Sequence, residues 1–188
     1  PTLKWMMQEY PEVTLSIMGS AKMKHLFDWA PIDRFEFRPS SDLADYYKFV
    51  SELHIGLAPL LPTEFNRCRS DVKYLEYAGR KVAPVCMNSA PYQYSVQSGV
   101  NGFLFGDEHE FRECLSKLIL EPTLREEISE NAYDYVSQNR IESTVVSKRI
   151  AFYADLLESK ERSFQPTQSQ EWTHLKLEAE ASPIKEFK

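Results

Sequence analysis

The 188-residue chain is short of cysteine, has no long apolar run and has no excess of positive charge, and each shortage removes a class of function. Its three cysteines, Cys68, Cys86 and Cys114, are odd in number and widely spaced, which excludes a complete disulfide framework and fits a reducing, cytoplasmic setting. No two of them lie at metal-ligand spacing, and His25, His54, His109 and His174 do not complete a set, so no metal is expected. No stretch approaches the ~20 apolar residues that cross a bilayer, and a signal-peptide pattern is missing. Lys and Arg number 22 against 28 Asp and Glu, a net charge of -6, which argues against a general affinity for nucleic acid. Internal repeats and low-complexity tracts are missing too. So is an initiator Met: the chain opens at Pro1 straight into a helical pattern, and reads as a processed chain or a piece of a longer protein.

What is present is an alternation of short apolar runs with helical periods. Leu3, Met6, Met7 and Tyr10 form the inner stripe of a first helix that Pro11 ends. Residues 13–18 read as a buried strand closed by Gly19, 21–29 as a helix, and 34–37 as a second strand. Ser40 or Ser41 can cap a helix over 42–52 with Leu43, Tyr46, Tyr47 and Val50 inside. Residues 53–60 are a third strand and 81–87 a fourth, in which Pro84 argues against a central place. A short helix over 91–97, a turn at Asn101-Gly102 and a strand over 103–105 follow. From Glu108 the pattern is helical, through Phe111, Leu115, Leu118, Ile119, Leu124, Ile128, Ala132 and Tyr135. A last helix over 143–157 carries Val146, Ile150, Tyr153 and Leu157. Residues 1–160 therefore read as one α/β domain, a Rossmann-like, doubly wound parallel sheet with helices on both faces. Residues 161–188 read as a weakly ordered tail or linker, in which Trp172 and Leu175 could dock a short helix.

In such sheets ligands gather beyond the carboxyl ends of the strands. The stretch over 65–79 lies there: a polar loop with Arg67 and Arg69, then Ser70 where a helix N-cap belongs. Val72, Leu75 and Ala78 define the expected buried face, and Arg69, Lys73 and Glu76 a separate stripe. A strand, a cationic loop and a helix start suit an anion. A solvated Lys73–Glu76 surface pair is the plainer reading.

Several pieces, in order, resemble one family. Y-P-E-V-T-L-S-I-M-G, R-F-E-F-R-P-S-S-D-L-A-D-Y-Y-K-F-V-S-E-L-H-I-G-L-A-P-L, K-Y-L-E-Y-A-G-R-K-V-A-P-V and Q-S-G-V-N-G-F-L-F are similar to successive motifs of the C-terminal, sugar-nucleotide-binding domain of retaining glycosyltransferases with the two-domain GT-B fold. The likeness runs over residues 3–153. It implies a domain that binds the donor, a nucleotide-diphosphate sugar, for transfer to an acceptor hydroxyl, with no cofactor. By the same resemblance Glu76 grips the ribose, and the amides of Ser70, Asp71 and Val72 with the side chains of Arg69 and Lys73 meet the diphosphate. Phe37, Arg38 and Pro39 run beside the nucleobase, and Cys68 and Tyr92 lie on the donor-sugar side. Cys68 stands where the family has a glutamate that holds the donor sugar. His54 stands where it usually has Asp, and reads as structural. The family's first strand, with its Arg/Lys pair, and its N-terminal acceptor domain are not in the sequence, so the chain alone is expected to be inactive. A glycosyltransferase-like module that binds a protein partner, and a sugar-nucleotide epimerase, are the alternatives.

Overall fold

The computed structural model describes residues 1–61 and 63–163; they fall into two units, the first Pro1–Thr144 and the second from Val145 on. In the first, α1 (Thr2–Glu9) leads to β1 (Leu15–Gly19), a 3-10 segment (Ala21–Phe27) and β2 (Phe35–Pro39). Then come α2 (Leu43–Ser51), β3 (Ile55–Ala58), α3 (Glu64–Arg67), α4 (Val72–Ala78), β4 (Ala83–Met87), α5 (Ala90–Gln93) and β5 (Phe103–Phe105). Two long helices close the unit, α6 (Glu108–Leu120) and α7 (Pro122–Asn139). The run from Glu108 is thus two helices. Glu121 separates them, and Pro122, which has no amide to give, starts the second.

All strand pairs are parallel, but the ladders form two sheets, β1-β2 and β3-β4-β5, where the alternation of elements suggested one. Side chains leave each strand on alternate faces. In β4, Ala83 and Val85 enter a core with Met6 and Met7 of α1 and Leu115 and Leu118 of α6. Cys86 enters a second core with Val50 of α2, Tyr74, Tyr77 and Ala78 of α4, and Ala132 of α7. The sheets are therefore covered on both faces. Phe27 of the 3-10 segment packs on the α1 face, whereas α2 and α4 pack on the other. The connection from β1 to β2 thus runs over the α1 face, and that from β3 to β4 over the face of α2 and α4.

Local chemistry accounts for the departures from expectation. Helix α2 is capped by Asp42, whose carboxylate accepts from the Asp45 amide at 2.9 Å, and not by Ser40 or Ser41; Ser41 instead donates to the Asp45 carboxylate. Its Leu43 is exposed and Phe49 is buried in its stead. In place of a helix over 21–29 the chain forms a tighter 3-10 segment, Ala21–Phe27, in which no residue is buried. Pro84 does sit in the central strand. Ala83 donates to His54 of the β3 side, so Pro84 faces β5, one residue before that ladder begins at Val85 and Phe103. The donor it lacks has no partner to miss.

Helix α8 (Glu142–Ser163) supplies the described part of the second unit and runs past the expected end at residue 157, so residues 161–163 are helical. Ile150, Phe152, Tyr153 and Leu157 are exposed. The remainder of the expected tail lies outside the described residues.

Gly56 in β3 faces the Tyr77 ring, and a Cβ there would lie 2.4 Å from it. Gly56→Ala is expected to destabilise the fold by about 1–3 kcal/mol, the range for overpacking, measured by denaturant unfolding.

Candidate functional site

The loops after the strands build two clefts. The first, of about 630 Å³, lies between the end of β2 (Arg38, Pro39, Ser40) and one side of α2 (Asp45, Lys48, Glu52). Arg38 shapes it. Its Nε donates to Glu36 at 2.7 Å, it also bonds Glu52, and its guanidinium lies 5.3 Å from the centre of the Phe49 ring. Of the three residues expected beside a nucleobase, Arg38 and Pro39 line this cleft. Phe37 packs against Phe35, ring centres 6.4 Å apart.

The second cleft, of about 440 Å³, lies between the loop into α4 and the α5 region, walled by Arg67, Arg69, Ser70, Asp71, Tyr94 and Arg140. The loop is more ordered than its polarity suggested. Thr63 accepts from the Asn66 amide and caps the short helix α3, and α4 starts only after Asp71, with no side-chain cap. Ser70 is exposed and caps nothing. The expected buried face is displaced as well: Val72 is exposed, while Tyr74, Tyr77 and Ala78 are buried against the second core.

Asp71 is 7% exposed and is held by two side chains, Arg140 and Ser95. Arg140, the residue that ends α7, makes a forked pair with it, at 2.6 and 2.9 Å. Ser95 donates to the same carboxylate, and its own carbonyl accepts from Asn101 at 3.0 Å. Burial acts most strongly on Asp71 and raises its pKa. The hydrogen bonds from Arg140 and Ser95 and the Arg140 charge outweigh it and hold the carboxyl below its ordinary value. Arg140 and Ser95 lie 69 and 24 residues from Asp71, so no local spacing announces them.

Glu76 lines neither cleft. Its carboxylate, 17% exposed, accepts from the Tyr46 hydroxyl at 2.6 Å and from Lys73 at 2.9 Å, between α2 and α4. Lys73 also donates to the Tyr46 oxygen at 2.7 Å. The structure thus brings Arg69, Ser70 and Asp71 together and sets Lys73 and Glu76 apart with Tyr46. Cys68 is exposed at the end of α3, in neither cleft. Tyr92 is 1% exposed in the second core, where burial pushes its hydroxyl up to about 12. It packs and offers no face to a sugar. Among the described residues no three His, Cys, Asp or Glu side chains could hold a metal ion.

Arg140→Met leaves a buried carboxylate unpaired and is expected to lower stability by about 3 kcal/mol, the low end for such a loss because Arg140 is partly exposed. Because the folded Asp71 pKa is depressed, its stabilisation is complete above the ordinary value of 3.8 and disappears as pH falls through the folded value. Asp71→Asn should therefore flatten the acid limb of a stability–pH profile below about pH 4.

No family model and no curated protein sequence matches the chain. Solved structures do. The C-terminal domain of a glycosyl transferase group 1 family protein (LpcC) from Francisella tularensis is 16% identical, with a TM-score of 0.56 over 73% of this chain and 75% of that one. Sucrose-phosphate synthase from Thermosynechococcus elongatus is 16% identical, TM-score 0.61, over 84% of this chain and 42% of that one. HepE from Anabaena, solved with UDP-glucose, is 17% identical, TM-score 0.62, over 82% and 44%. The chain thus spans less than half the length of the last two. Two parallel sheets covered on both faces by helices give the chain the Rossmann-like C-terminal fold of the GT-B glycosyltransferases.

Proposed function

We propose that this domain binds the donor, a nucleotide-diphosphate sugar, within a longer glycosyltransferase that moves the sugar to an acceptor hydroxyl. The observation that carries the reading is the pair of clefts at the carboxyl ends of the parallel strands, where open α/β sheets take their ligands. The nucleoside takes the first cleft, along Arg38 and Pro39. Glu76 accepts from the ribose hydroxyls in place of Tyr46, and Lys73, released from that network, turns to the diphosphate. Arg69 and the amides of Ser70, Asp71 and Val72 complete the phosphate contacts. Transfer breaks the bond between the anomeric carbon and the diphosphate oxygen and forms one to the acceptor oxygen. The cations stabilise the charge left on the diphosphate, and no metal or cofactor takes part. The acceptor is held by an N-terminal domain, without which these residues bind but do not transfer.

A sixth strand belongs to the same reading. β1 pairs only with β2 and β3 only with β4, among the described residues. The amide of Leu15 points to β2, so those of Ser16 and Met18 point to the opposite edge. By the same alternation Ile55 and Leu57 face away from β4. Helix α1 lies on the face over which the chain passes from β1 to β2, so a right-handed crossover puts a strand preceding α1 on that free edge of β1. A parallel strand there would satisfy both edges and join the sheets.

The substitution at Cys68 favours a second reading, a glycosyltransferase-like module that binds a protein and no nucleotide. Calorimetric titration of the chain with UDP, GDP, ADP and CMP separates the two: binding of one diphosphate is expected, and binding of none supports the module. Glu76→Ala should weaken that binding by about 1–3 kcal/mol, and an unchanged affinity rejects the ribose contact. In hydrogen exchange the amides of Ser16, Met18, Ile55 and Leu57 should exchange faster than those of Ala83 and Val85. Equal protection would mean that the gap between β1 and β3 is already closed.

A further inference from the structure

The second cleft keeps two cations at its rim, Arg67 and Arg69, besides the Arg140 that is paired with Asp71. Three arginines, Arg67, Arg69 and Arg140, line it with one carboxylate, Asp71. That carboxylate is buried and already neutralised by the fork from Arg140, so it does not oppose an incoming anion. Among the described residues no carboxylate pairs with Arg69, whose guanidinium lies 5.9 Å from the centre of the Phe65 ring. Arg67 holds Glu64 in an exposed pair of the kind that contributes little and yields to a better-placed anion.

The opposite wall differs in kind. Pro91 and Tyr94 line it, and Tyr94 is 90% exposed. A phenol ring left in water beside cations offers an apolar face with a polar tip, suited to a ligand that is part ring and part charge. The volume, about 440 Å³, is that of a small-molecule site.

We infer that this cleft is a subsite for an anionic sugar, a ring bearing a phosphate or carboxylate, with the ring against Tyr94 and Pro91 and the anion on Arg67 and Arg69. The site goes beyond the donor reading: Arg69 is shared with the proposed diphosphate contact, whereas Arg67, Pro91 and Tyr94 belong to the anionic sugar alone. Its source is either a separate sugar, such as an acceptor, or the donor's own sugar.

Titration calorimetry on the chain at physiological salt decides it, with glucose 6-phosphate against glucose and UDP-glucuronate against UDP-glucose. At least one anionic probe is expected to bind ten times more tightly than its neutral counterpart. The double variant Arg67→Ala with Tyr94→Ala should abolish that preference without changing the affinity for UDP; both side chains are at the surface, and an unchanged melting curve confirms the fold. Glucose 6-phosphate that still binds to the UDP-saturated chain identifies a separate sugar. A preference for UDP-glucuronate identifies the donor's own. The inference fails if neither anionic probe is preferred tenfold, if the double variant binds like the parent, or if UDP displaces glucose 6-phosphate and UDP-glucuronate is not preferred.

Discussion

Asp71 stands where the loop after β3 becomes α4, almost shut off from water, and a carboxylate in that position must be paired. Arg140 reaches it from the end of α7, and Ser95 from the segment after α5. Three stretches distant in the chain therefore meet at one charge. Because α7 packs on both α4 and β4, the pair sets the start of α4 against the helix that backs it. The second cleft has its shape because these pieces cannot separate without exposing an unpaired ion to an apolar surround.

The rim and the cores divide the work along each strand. Ala83, Val85 and Cys86 are consumed by the two cores, and only the loops beyond the strands are free to vary in chemistry. Aromatic residues do much of the filling: Tyr74 and Tyr77 on α4 and Tyr92 after β4 are buried with α7 and α2. Glu76 leaves that same helix on another side and meets Tyr46 and Lys73, so one seven-residue helix serves a core on one face and a polar network on the other.

Where one period or one cap decided the matter, the chain could be read directly. The stripe of Met6 and Met7, the strands around Leu15 and Val85, and the face of Leu115 and Leu118 are all where their spacing put them. Ser70 was a misleading signal: the helix it precedes starts one residue later than the hydroxyl suggested, with Asp71 at the cap position and its carboxylate turned to Arg140. Tyr92 looked like a cleft residue from its place after β4, yet long-range packing buried it. Arg140 had no local signature, since its partner is 69 residues away. The division into two sheets was equally hidden: strands announce their own extent, but pairing depends on which neighbours are there to pair.

Pro84 has one more effect. Sliding β5 two residues toward the start of β4 would keep every apolar side chain on its proper face, so the cores alone would not forbid it. That misalignment would require a hydrogen from the one ring nitrogen in the strand that has none to give. The imino acid thus acts as a stop, admitting a single alignment of the β4–β5 ladder while the chain is still searching for it.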